Sequence, residues 1–289
     1  MVMKVVDNST TCNYCSRGFP LDRTQCPHCA QPQLFPNVRL AEDEEERQKL
    51  IDRHEKAKED CRRRGCEKAL AEFEQVCDTS VAVFNCGMLK LFRQIASGTD
   101  LFETYHDLES LRIRSERPVG HNWQKLRPQA EIELLGSHRH LDKLHYAALS
   151  LDGLGLDSYG DCTVTLSEGM IRHRASCFEG NSALIYEERR DFSGCLRSSW
   201  PERAKLCAAK IAGNLDDSLS SDDFPGMLLS KGVAQDDDEF VEVHVFGTMT
   251  AQTFQSVAID LSKLSREGKT LWKAVKEKLT KNGVAALER

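Results

Sequence analysis

Two cysteine pairs, Cys12-Asn-Tyr-Cys15 and Cys26-Pro-His-Cys29, stand ten residues apart near the start of the chain. Each CxxC turn brings two thiolates to about one edge of a tetrahedron, and zinc takes four such ligands at about 2.3 Å. Gly18 follows the first pair, where a tight turn is needed. A segment this short cannot bury enough surface to fold alone, so the metal supplies the folding energy. The expectation is one structural zinc ion on Cys12, Cys15, Cys26 and Cys29, with His28 inside the second turn and outside the ligand set.

The paired knuckles resemble a zinc ribbon, here residues 1–37. Ribbons of this kind bind DNA, RNA or proteins, and many are purely structural. Lys4, Arg17 and Arg23 stand against Asp7 and Asp22, so the module is nearly neutral and carries no electrostatic footprint for nucleic acid. Tyr14, Phe19 and Phe35 are expected to pack its small core rather than stack bases.

A second set of chemically able residues lies in the C-terminal part. It has three pieces: Leu144–Leu151 followed by Tyr159-Gly160-Asp161, Met170–Ser182 (MIRHRASCFEGNS), and Glu239–Thr248 (EFVEVHVFGT). The tract Arg174-Ala175-Ser176-Cys177-Phe178-Glu179-Gly180-Asn181-Ser182, with Val241-Glu242-Val243-His244-Val245-Phe246-Gly247 after it, resembles the ADP-ribosyltransferase-like domains of bacterial toxin-like proteins. The resemblance spans about residues 99–260. Phe240 stands where that family usually carries the first residue of an E-x-E or Q-x-E pair, and Glu239 is the nearest other acid.

The resemblance implies NAD as substrate. Cleavage of its nicotinamide–ribose bond passes through an oxocarbenium-like state that a fixed carboxylate stabilises. Glu242 on a rigid strand is the candidate, with His244 beside it. Arg174 and Arg172 are the candidate clamps for pyrophosphate, since a guanidinium grips it through two charged hydrogen bonds. Asn181 and Ser182 are placed to hold ribose or amide groups, and Tyr146 or Tyr159 to stack on nicotinamide. Alternation alone also allows Glu242 and His244 to lie on the wet face of an edge strand.

The function expected from these pieces is an NAD-dependent ADP-ribosyltransferase-like toxin or phage-defence effector that modifies a protein or nucleic acid. The competing expectation is a non-catalytic binding module or scaffold subunit. The cluster His138, His140, Asp142 and His145 lacks a completing ligand at suitable spacing and reads as a polar loop or helix face. GxGxxG, P-loop, GxSxG and HExxH patterns do not occur.

The elements that must position these groups can be read from composition and period. The chain has 289 residues, a net charge of −6, 29% charged and 40% hydrophobic residues, about two domains' worth. The mean hydropathy is −0.47, and no apolar run approaches the ~20 residues of a membrane span. The first residues lack the apolar core of a signal peptide, so the expected setting is cytoplasmic. The single cysteines Cys61, Cys66, Cys77, Cys86, Cys162, Cys177, Cys195 and Cys207 then read as reduced, buried small hydrophobes.

Residues 38–98 read as a helical linker. Glu45/Lys49, Asp52/Lys56, Glu59/Arg63 and Asp60/Arg64 are spaced for i,i+4 pairing. Val81, Phe84, Met88, Leu91, Phe92 and Ile95 suggest a core helix over 78–98, capped at Asp78-Thr79-Ser80 and ended at Gly98. Residues 99–289 alternate at Asp161–Ser167 and Phe240–Phe246, which predicts strands. Helices are expected after Trp200-Pro201 and over Thr270–Asn282, ended by Gly213 and Gly283. The expected fold is α+β: a four-cysteine ribbon, a helical linker, and a domain of short, mainly antiparallel strands with peripheral helices.

Overall fold

Two short strands, β1 (Ser9–Thr11) and β2 (Gly18–Pro20), pair antiparallel across the first cysteine turn. In this computed structural model of the protein the described residues are 9–12, 15–20, 23, 25–31, 33–95, 101–104, 123–135, 143–233 and 238–289. His138, His140 and Asp142 of the histidine cluster lie outside them, as does Tyr14.

Helix α1 (Pro36–Ala41) begins on a proline, whose missing N–H would be unpaired in the first turn anyway. Helix α2 (Glu44–Arg64) is capped by the Asp43 side chain. It carries Glu44, Glu45 and Glu46 at its start and Arg62, Arg63 and Arg64 at its end, which matches the helix dipole. Gly65, at φ 79°, supplies the left-handed residue that stops it. Its buried stripe is only Leu50, His54, Ala57 and Cys61, so the charged surface faces water. Of the expected i,i+4 pairs, Asp60–Arg64 forms; Lys49 instead reaches Glu46, and Arg62 reaches Glu59. Helix α3 (Glu67–Asp78) buries Ala69, Leu70, Phe73 and Cys77, the expected face.

The helix expected over residues 78–98 is not formed as one element. Asp78 closes α3, Val81–Cys86 is strand β3, and only Met88–Ile95 is helical, as α4. The run VAVFNC is rich in β-branched and aromatic residues, which suit a pleated surface, and Gly87 separates it from α4. A short apolar run carries no period that separates the two states.

Strand β4 (Leu101–Phe102) and helix α5 (Trp123–Leu135) come next, then β5 (Leu144–Ser150), β6 (Cys162–Leu166), helix α6 (Glu168–Ile171) and β7 (Ala175–Phe178). Helix α7 (Ser182–Arg189), β8 (Arg197–Ser199), α8 (Arg203–Ile211) and α9 (Phe224–Leu228) lead to β9 (Glu242–Phe246). The chain ends with β10 (Met249–Thr250), β11 (Phe254–Ile259), α10 (Arg266–Lys281) and β12 (Ala285–Glu288).

Among the described residues, eight strands form one sheet in the order β12-β11-β6-β3-β5-β9-β7-β8. Every pairing is antiparallel except β11 with β12. The fold is α+β and mainly antiparallel. Strand β3, from the stretch read as a linker, sits in the middle of this sheet between β6 and β5. Gly160 makes its close approach possible: a Cβ there would lie 2.2 Å from the Cys86 carbonyl carbon.

One sheet face carries Ala82 opposite Leu149, and beside them Ala147, Val243 and Cys177 in register. These pack with Phe73 of α3, Leu91 of α4, Leu206 and Cys207 of α8, and Trp272 and Leu279 of α10 in one continuous apolar core. Residues 38–98 therefore contribute to the same core as residues 99–289. All the single cysteines are buried, as expected. No described helix is long and apolar enough to cross a membrane.

Candidate functional site

The four cysteine sulfurs lie within 4.8 Å of one another. Cys12 Sγ is 3.6 Å from Cys29 Sγ, and Cys15 Sγ is 3.7 Å from Cys26 Sγ. A tetrahedron with bonds of about 2.3 Å has edges of about 3.8 Å, so the set fits a structural metal ion such as zinc. The two turns are built alike. Ser16 N bonds Cys12 O and Ala30 N bonds Cys26 O, and both Ser16 and Ala30 take left-handed backbone, at φ 55° and 56°. His28 stays out of the sulfur set: its Nε2 lies 3.1 Å from Gly18 O. Phe19 packs beside Cys12 and Cys26, as expected. Phe35 instead packs against Phe246 and His173, both at 5.7 Å.

The other face of the sheet holds the second set. Register places Tyr146, His244 and Ser176 side by side on β5, β9 and β7, and Ala148, Glu242 and Phe178 in the next row. Strand β9 is interior, between β5 and β7, so the edge-strand placement does not apply to it. Helices α1, α5 and α7 cover these rows. Glu242 is 4% exposed and His244 3%. The alternation FVEVHVF was a true sign of two faces, but both are covered.

His244 Nε2 lies 3.0 Å from Glu242 Oε2, and the same oxygen accepts the Ser182 N–H at 3.0 Å. Ser182 opens α7, and the Asn181 side chain caps that helix by accepting from Ala183 N and Leu184 N. The carboxylate thus faces the positive end of a helix dipole. From above, α5 brings Arg127, whose guanidinium stands 4.1 Å from the centre of the Tyr146 ring and 3.0 Å from Glu131 Oε1. Tyr146 meets the His244 ring edge-on at 5.3 Å, and Phe178 stacks on its other side at 6.1 Å.

Burial alone would raise the Glu242 carboxyl. The hydrogen bond and charge of His244, the charge of Arg127 and the Ser182 amide outweigh it and hold the group below its ordinary value. Burial also opposes the Arg127 charge, but Tyr146, Glu131 and Glu242 together keep its pKa raised. The Tyr146 phenol is pushed well up, first by burial and then by Glu131. The centre therefore combines a carboxylate anion, a guanidinium cation and a neutral phenol. A cavity of about 10 Å³, about one water's worth, lies beside it between Asn37, Ser176, Arg197 and His244.

Not every candidate gathers there. Glu242, His244, Tyr146, Asn181 and Ser182 do. Arg174 is buried at one end of β7, and its guanidinium is bound to backbone: Nη1 donates to Phe246 O and Thr248 O, at 2.9 and 2.8 Å, and Nε to Met170 O. It ties the β9–β10 turn to α6 and leaves the cation beside Glu242 to be Arg127. Arg172 is exposed. Tyr159 packs with Val83 and Ala148 farther along the same face. His145 points to the opposite face from Tyr146.

Arg127, Glu131 and Asn37 were not among the sequence candidates. The i,i+4 spacing of Arg127 and Glu131 in RPQAE was a readable sign of a helix-face pair, though not of its neighbours. Asn37 left no sign. No family model matches the chain, and no curated protein matches it.

Proposed function

We propose that the chain is an NAD-consuming enzyme of the ADP-ribosyltransferase-like kind, with Glu242 as its catalytic carboxylate and His244 beside it, and that Cys12, Cys15, Cys26 and Cys29 hold one structural zinc ion. One observation carries the enzyme reading: a carboxylate kept anionic, an imidazole and a guanidinium converge on an interior strand. Burying such groups costs stability, and this combination of burial with specific charge partners is typical of functional sites. A carboxylate fixed on a strand would stabilise the positive charge that grows on ribose as nicotinamide leaves. Tyr146 and Arg127 would border the nicotinamide and phosphate ends.

NAD is far larger than the cavity beside His244. Turnover on this reading requires α5 to move off the sheet, which uncovers Glu242 and breaks the Arg127–Tyr146 stack. The target would be a protein or nucleic acid presented by the zinc module and α2, in a toxin or phage-defence role. The free thiols suit a reducing, cytoplasmic setting. Nicotinamide release from NAD by the wild type, absent in Glu242→Gln, is the test.

The closed cover over Glu242 and His244 favours a second reading. On it the polar network only staples α1, α5 and α7 to the sheet. The protein is then a non-catalytic module or scaffold that docks a partner through residues 1–75, and binding is salt-sensitive and indifferent to Glu242.

A further inference from the structure

Asn37 is 3% exposed and sits on α1, shortly after the last metal-binding cysteine. Its side-chain amide has two hydrogens and three acceptors around them: Arg174 O and Ser176 Oγ at 3.1 Å and His244 O at 3.0 Å. Ser176 and His244 are register partners on β7 and β9, so the amide bridges the two strands at His244 itself. Two residues on, Arg39 turns the other way. Its guanidinium lies 5.5 Å from the Phe19 ring, and its Nη2 donates to Leu34 O at 2.7 Å and Arg23 O at 3.4 Å. Phe19 is the 2%-exposed centre of the cysteine module. One short helix thus grips the metal module with one side chain and the His244 backbone with another.

We infer that Asn37 is a positioning residue that sets His244 against Glu242, and that through α1 the metal module holds this position. The link to activity rests on the reading of Glu242 and His244 as the reacting pair; the link between metal and His244 does not.

The test uses the full, zinc-loaded chain and reads the His244 ring signals by NMR, assigned with His244→Gln. In Asn37→Ala the zinc content stays at one per chain and the ring signals move from their wild-type positions. Zinc removal by a chelator moves them in the wild type and several-fold less in Asn37→Ala, because the connection is already cut. Nicotinamide release falls ten-fold or more in kcat with KM unchanged. If Asn37→Ala does not fold, Asn37→Ser, which keeps one donor, is read in the same way. Ring signals unmoved by the substitution, or moved equally by the chelator with and without Asn37, overturn the inference. If the wild type releases no nicotinamide, the enzyme reading falls while the ring signals still decide this one.

Discussion

His244 Nε2 and Glu242 Oε2 meet at 3.0 Å on one face of β9, both closed off from water. Two residues of spacing on a strand put them on the same side, and their neighbours fix the rest: Phe178 and Tyr146 hold the imidazole, Ser182 N and Arg127 hold the carboxylate charge. Such a pair is costly to bury and costlier to halve.

Removing one member should therefore cost more than removing both. His244→Ala is expected to lose about 3–5 kcal/mol of stability, since it leaves a buried carboxylate without its main partner. Adding Glu242→Leu to it should recover part of that loss. A double-mutant cycle by denaturant unfolding measures the difference; additive losses would mean the two side chains do not interact.

The same pair sets an acid dependence. The folded-state pKa of Glu242 lies below its ordinary 4.5. Its contribution to stability is then full above that ordinary value and drains away as pH falls through the folded value. Unfolding midpoints measured from neutral pH downward should drop less steeply in Glu242→Gln than in the wild type, and identical slopes would remove Glu242 as a source of the effect.

Two neighbouring arginines should behave differently. Arg174→Ala strands the buried Phe246 carbonyl and frees the Thr248 and Met170 carbonyls, which belong to exposed residues, and is expected to cost roughly 1–3 kcal/mol. Arg172→Ala, on an exposed side chain, should stay within about 0.5 kcal/mol of wild type. Thermal unfolding of the two variants side by side checks this.

Metal and thiols give a fourth test. One zinc per chain is expected by elemental analysis, and Cys12→Ser with Cys26→Ser should abolish it. Burial pushes the Cys86 thiol up to about 11, and burial with Cys66 nearby does the same for Cys61. Alkylation near neutral pH should then leave both untouched in the native protein, and a chelator should open only Cys12, Cys15, Cys26 and Cys29 to reagent. Mass spectrometry counts the modified sites.

The cysteine knuckles were legible because two CxxC turns at fixed spacing determine their own geometry without help from the rest of the chain. Strands β6 and β9 and helix α10 were legible from period. Strand β3 was not, because an apolar run of that length reads equally as helix, and only its pairing with β5 and β6 decides. The burial of Glu242 was hidden for a similar reason. Alternation marks two faces but says nothing about what covers them, and the cover comes from α1, α5 and α7, distant in sequence. Arg174 looked like a ligand clamp by residue type; its place at the β9–β10 turn makes it a backbone clamp.

On the proposed function, Glu242 acts on NAD. The measurement is nicotinamide release by purified, zinc-loaded protein, with lysate added as a source of targets, beside a Glu242→Gln variant confirmed as folded. Release by the wild type that vanishes in the variant is the predicted result. No release from either protein, or equal release from both, would contradict it.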